Sequence, residues 1–182
     1  MLNTGRLRSL CCGLVAVVLM IGALARAGEL FGEPSYVAAS RGAADFVLDT
    51  LRPEGRLLRT WRDGQAKGRG YLEDYAHLID GFVALYEATF DPRWYRAARE
   101  LADLILEYFQ APEGGFFDTS PAHEELVIRP QTLQDNAVPS GNSMATFVLL
   151  RVSQLSVEPR YADVARQALR QVQELLAQYP LG

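Results

Sequence analysis

The sequence predicts an all-α protein of three stacked helical hairpins, with short β-ribbons in its long loops. Three observations predict it. A proline corner recurs as Gly32-Glu33-Pro34-Ser35-Tyr36, Phe90-Asp91-Pro92-Arg93-Trp94 and Val157-Glu158-Pro159-Arg160-Tyr161. Each corner runs on into an alanine-rich amphipathic stretch, and a period of several tens of residues built this way marks stacked helix pairs. The connectors are unequal: a few residues at each corner, but long segments over 52–71 and 110–139. All short corners then fall at one end of the stack and all long loops at the other.

The first element is open to three readings. Arg6 and Arg8 precede an apolar run from Leu10 to Leu24, then Ala25-Arg26-Ala27. A basic start, an apolar middle and a small-x-small site outline a secretory signal. An uncleaved anchor is the second reading, although the run is short for a span. The third is a core helix from Val15 to Phe31, which cleavage after Ala27 would cut apart. A cytoplasmic location goes with the third reading, and a secreted or membrane-anchored one with the others.

At each corner the proline sits in the first helical turn, where its missing N–H is no loss. The acidic residue before it favours the positive helix end. Tyr36, Trp94 and Tyr161, two positions after each proline, are expected to pack the corners. The helices that follow are expected over 37–51, 95–109 and 162–179. The loop before the third helix carries alternating residues and Asp63-Gly64, which predict a β-ribbon with a tight turn.

The third helix, expected from Leu72 to Thr89, has two unlike faces. Leu72, Tyr75, Ile79, Phe82, Val83 and Tyr86 share an apolar side. Glu73, His77, Asp80 and Glu87 share the other, with Ala84 and Ala88 between them. Such a stripe either faces water or faces a shared cavity. A fifth helix is expected over 140–156, where Ser140, Asn142 and Ser143 stand beside free backbone N–H groups. Capping alone accounts equally for Ser140. His123 lies in a polar loop and suggests no triad.

The 182 residues fit one domain with a sizeable core. The formal charge of −4, with both signs interspersed, offers no basic patch for nucleic acid. The two cysteines, Cys11 and Cys12, are adjacent and form neither an ordinary bridge nor a metal spacing.

Several spaced motifs resemble the C-terminal helical domain of the spermatogenesis-associated thioredoxin-like protein family. They are Leu72-Glu73-Asp74-Tyr75-Ala76 with Asp80-Gly81, Gly114-Gly115-Phe116-Phe117, Pro139-Ser140-Gly141-Asn142-Ser143, Trp61-Arg62-Asp63-Gly64 and the Gly-Glu-Pro corner after Phe31. The resemblance spans residues 20–182; residues 1–19 match nothing in it, and Asn136 stands where a glycine is expected. It implies an (α/α)6 toroid similar to six-hairpin glycosidases and N-acylglucosamine 2-epimerases. The three hairpins would be about half of that ring. Neither the thioredoxin-like domain nor its cysteine pair is present in this sequence. The chain is then read as a fragment, a truncated gene or the product of a shifted start.

In such a ring the first helix of each hairpin lines the centre, so the stripe on the third helix would face a cavity. The resemblance implies Glu73, Asp74 and Asp80 as catalytic candidates, since carbohydrate enzymes of this shape use paired carboxyl groups. It implies Trp61, Arg62, Tyr75, His77, Phe117, Asp135, Ser140 and Asn142 as a carbohydrate-binding set, with no metal and no cofactor. Two readings follow. A glycosidase- or epimerase-like domain, its own activity curtailed by the half-ring, requires Glu73, Asp74, Asp80, Trp61 and Asn142 to converge on one pocket. A non-catalytic helical-repeat interaction module requires an exposed apolar groove and unperturbed carboxylates. Both leave cut edges that would expose apolar helix faces and call for the missing half-ring or a second copy.

Overall fold

The computed structural model describes residues 12–123 and 128–178. Arg6, Arg8, Cys11, Glu124, Glu125 and Tyr179 lie outside them. The elements are β1 (Cys12–Gly13), α1 (Leu14–Phe31), α2 (Pro34–Thr50), β2 (Leu58–Arg62), β3 (Gln65–Arg69), α3 (Leu72–Thr89), α4 (Pro92–Tyr108), α5 (Gly141–Leu155) and α6 (Pro159–Gln178). They form three hairpins, α1–α2, α3–α4 and α5–α6. The first helices α1, α3 and α5 pack side by side, with α3 in the middle.

The corners form as the sequence dictates. Glu33 and Asp91 cap α2 and α4 by accepting from the N–H groups of Ser35 and Arg93 at 3.2 and 3.0 Å. Each proline takes the first helical position. Trp94 and Tyr161 are fully buried. Trp94 stacks on Phe82 of α3, and the Tyr161 hydroxyl donates to Asp103 of α4 at 2.5 Å. Tyr36 departs from expectation, at 42% exposed. Its corner begins the stack, and among the described residues no preceding hairpin lies over it.

Asp63 and Gly64 both hold positive φ, 52° and 80°, as a two-residue hairpin turn between β2 and β3 requires. Leu58 pairs with Arg69 and Thr60 with Lys67 in that ribbon. β1 adds a third strand, Cys12 opposite Trp61 and Gly13 opposite Thr60, which the sequence pattern did not announce.

α1 is long and apolar enough to cross a membrane by length and composition. Its line of Leu14, Val18, Ile21, Gly22, Ala25 and Gly28 is nevertheless buried in the protein. Glycines bring α1 and α3 together: a Cβ on Gly81 would stand 2.9 Å from Ile21 Cγ2, inside van der Waals contact. Ser40 of α2 ties the same turn, donating to the Ile21 carbonyl at 2.7 Å. The expected apolar edges are present. On α1, Leu19 and Met20 are 40% and 53% exposed; on α5 and α6, Phe147, Leu155 and Leu169 are also exposed.

Candidate functional site

From Leu72 to Leu85 every residue of α3 is buried except Glu73 and Asp80, and exposed Glu87 continues their line. This line lies on the side away from Phe82 and α4, flanked by α1 and α5. The stripe therefore faces the side shared by the first helices, as a half-ring demands. His77 is buried beside it, its Nε2 without a partner. Burial holds its imidazole below the ordinary pKa, against the pull of Asp80 and Glu73.

A cleft of about 530 Å³ opens at the loop end, above the N-termini of α3 and α5. Arg59, Tyr71, Glu73, Asp118, Thr132 and Ser140 are among its lining residues. Both long connectors reach it, so the loops do gather at one end. Arg59 donates to Glu73 Oε1 at 2.6 Å and lies over the Tyr71 ring at 4.3 Å. Asp118 accepts from the backbone N–H and hydroxyl of Thr132, at 3.1 and 2.7 Å.

Asp74 sits directly behind this wall with no exposed surface. Its Oδ2 accepts the Tyr71 N–H at 2.8 Å, while Oδ1 has no partner. Burial pushes its carboxyl up to about 6; the Tyr71 N–H and the Arg59 guanidinium, 3.9 Å away, only partly offset it. A buried carboxyl whose pKa is raised in this way is the kind of group that acid–base chemistry uses.

The expected convergence of five groups on one pocket does not occur. Asp80 lies two turns down α3, bridged by Arg26 of α1 at 2.6 Å and Arg151 of α5 at 2.7 Å. Trp61 does not line the cleft; it packs edge-on against Phe46 with centroids 5.7 Å apart. Asn142 is buried beneath the cleft floor and fully occupied. Its Oδ1 accepts the Phe116 N–H at 2.8 Å, and its Nδ2 donates to the Phe116 and Thr132 carbonyls at 2.9 and 3.2 Å.

The remaining candidates divide in the same way. Ser140 is at the cleft and caps α5, accepting from Ser143 N–H at 3.1 Å. Asp135 accepts the Ser140 N–H at 2.9 Å, which holds its carboxyl below the ordinary range. Phe117 stacks under Arg129 at 4.1 Å. Tyr75 is buried against Phe109, its hydroxyl accepting from the Leu57 N–H at 3.2 Å. Arg62 is exposed and pairs with its neighbour Asp63. Arg59 was missed, yet a signal existed. The Asp-Gly turn sets Leu58 opposite Arg69, next to the start of α3, and so sets Arg59 beside Glu73.

No family model matches the chain. It is 31% identical over 177 residues to spermatogenesis-associated protein 20 of Rattus norvegicus, covering 90% of this chain and 22% of that protein. The Homo sapiens protein of the same name is 28% identical over 176 residues, with the same coverage. The chain thus spans about a fifth of the length of the curated relatives it matches. Among solved structures, cellobiose 2-epimerase from Spirochaeta thermophila superposes with a TM-score of 0.68 at 17% identity, over 86% of this chain and 41% of that one. A GH76 alpha-mannanase from Bacteroides thetaiotaomicron gives 0.68 at 11% identity, over 88% and 40%. A D-mannose isomerase gives 0.61 at 13%, over 86% and 41%. Over nine-tenths of its length the chain is similar in sequence to one segment of the spermatogenesis-associated protein 20 proteins, and its three hairpins have the fold of part of an (α/α)6 toroid.

Proposed function

We propose that this chain is a portion of a six-hairpin glycosidase-like domain that binds a small carbohydrate at the loop-end cleft and does not turn it over unaided. The observation that carries this reading is the cleft itself, which Glu73, Arg59, Asp118, Thr132 and Tyr71 line together, with Arg59 over one face of the Tyr71 ring. Charged and hydroxyl groups around an aromatic face suit the alternating polar and apolar surfaces of a sugar ring. Its likeness in fold to an epimerase, a mannanase and an isomerase adds to that reading. Turnover needs two carboxyl groups flanking one bond. Here Asp80 is spent on two arginines and Asp74 is walled off, which leaves Glu73 at the opening with Asp118, and these two are held by Arg59 and by Thr132. The packing of α1 into the core supports the reading of α1 as a core helix of a cytoplasmic chain, which cell fractionation tests.

Titration with mono- and disaccharides, followed by amide NMR, checks the binding. The shifts are expected at Arg59, Tyr71, Thr132 and Gly141. Glu73→Gln is expected to weaken binding by about tenfold, the worth of one charge-assisted hydrogen bond. Hydrolysis or epimerisation above the buffer rate is not expected. Saccharides that shift no cleft amide would refute the reading.

A further inference from the structure

The repeat brings a second regularity that the sugar reading does not use. Seven residues after the prolines of the three corners stand Arg41, Arg99 and Arg166, and one residue before them stand Glu33, Asp91 and Glu158. The structure pairs these between successive hairpins. Arg41 of α2 meets Asp91 at 3.8 Å, and Arg99 of α4 is bonded to Glu158. One arginine and one acid are left over at opposite ends of the stack. Arg166 on α6 is 60% exposed and meets only Asp163 of its own helix among the described residues. Glu33 is exposed and caps its own helix. The aromatic series ends at the same place, because Tyr36 is 42% exposed where Tyr161 is sealed by Asp103 of the preceding hairpin.

We infer that two copies of this chain join edge to edge into a closed ring of six hairpins. Arg166 of each copy then pairs with Glu33 of the other, across two equivalent seams. A two-fold axis along the ring centre makes every such contact reciprocal, as closed symmetry requires. The seam would repeat the register already seen inside the chain. It would cover Tyr36 and bring the apolar residues Ala16, Met20 and Ala23 of α1 against the α5–α6 edge, where Phe147 and Leu169 are exposed. One ion pair of the register has no counterpart at the seam. Asp45–Arg93 and Asp103–Arg160 have Arg170 and Ser35 as their third members, which neither attract nor repel. The proportions fit, since the chain covers 41% of the ring-forming epimerase chain it superposes on. The second copy would complete the cavity that Glu73, Asp80 and Glu87 face. This inference stands apart from the sugar reading and can fail without it.

Sedimentation velocity on the full chain at micromolar concentration tests the inference. The expected result is a species of twice the chain mass. Arg166→Glu alone and Glu33→Arg alone each place like charges at both seams, and each is expected to weaken dimerisation by about tenfold or more. Mixing the two single variants restores both seams, one with the natural pair and one with the pair reversed. The mixture is therefore expected to dimerise like the unmodified protein. Circular dichroism on each variant confirms that α2, which loses its cap in Glu33→Arg, is still folded. A monomeric natural chain, an open-ended polymer, or a dimer indifferent to both substitutions and to mixing would each overturn the closed ring.

Discussion

Asp74→Asn is expected to stabilise the protein at pH 7 and to flatten its stability between pH 4 and 6. Asp74 carries a carboxyl raised from 3.8 to about 6, chiefly by burial, so the folded protein holds that proton more tightly than the unfolded chain. Below about pH 4 both states are protonated and the group imposes nothing. As pH rises toward 6 the unfolded chain ionises first, and stability falls across that window. Above it the folded state carries a buried carboxylate at a cost of roughly 2–3 kcal/mol. An amide keeps the acceptor for the Tyr71 N–H, 2.8 Å away, without the charge. The gain at pH 7 corresponds to about 4–10 °C in Tm for a chain of this size, and it should vanish at pH 4. Thermal melts at the two pH values check it. An unchanged or lowered Tm at pH 7 would show that Arg59 sustains the ionised form.

Asn142→Ala is expected to cost about 3 kcal/mol, because it strips partners from groups that cannot reach water. Phe116 is fully buried, and both its N–H and its C=O bond to Asn142 alone of all side chains. Thr132 loses a third contact, and it is a wall of the cleft. Urea unfolding should show the loss as a lowered midpoint with an unchanged slope. The same substitution should weaken the saccharide-induced amide shifts, since Thr132 loses its direct tie to α5 and keeps only its bonds to Asp118. A midpoint within a few tenths of a kcal/mol of the parent would mean that water replaces the amide.

The two residues illustrate what a sequence discloses and what it withholds. The corners were legible because their signals are local: an acid, a proline and an aromatic within five positions, with Glu33 and Asp91 capping the helices they precede. The ribbon was legible because Asp63-Gly64 must take positive φ. The two faces of α3 were legible from spacing alone. The state of each carboxylate on it was not. Asp80 owes its two arginines to partners 54 and 71 residues away, and no local pattern marks them. Glu73 and Asp74 are adjacent, yet one reaches the cleft and the other is sealed. Asn142 reads as a capping or binding residue until Phe116, 26 positions earlier, is seen to hold it. Tyr36 failed for the opposite reason. Its motif is intact, but what buries Tyr161 is a neighbouring helix, which the motif does not contain.

The near-contact of Gly81 with Ile21 also governs how sharply the stack bends. Because α1 and α3 meet there almost backbone to backbone, the inner circumference is short relative to the outer one carried by α2 and α4. A single methyl at Gly81 would act as a wedge on the inside of the arch. It would lengthen that inner path, flatten the arch and leave the inferred pair of copies short of a full turn, though no group at the rim had been touched.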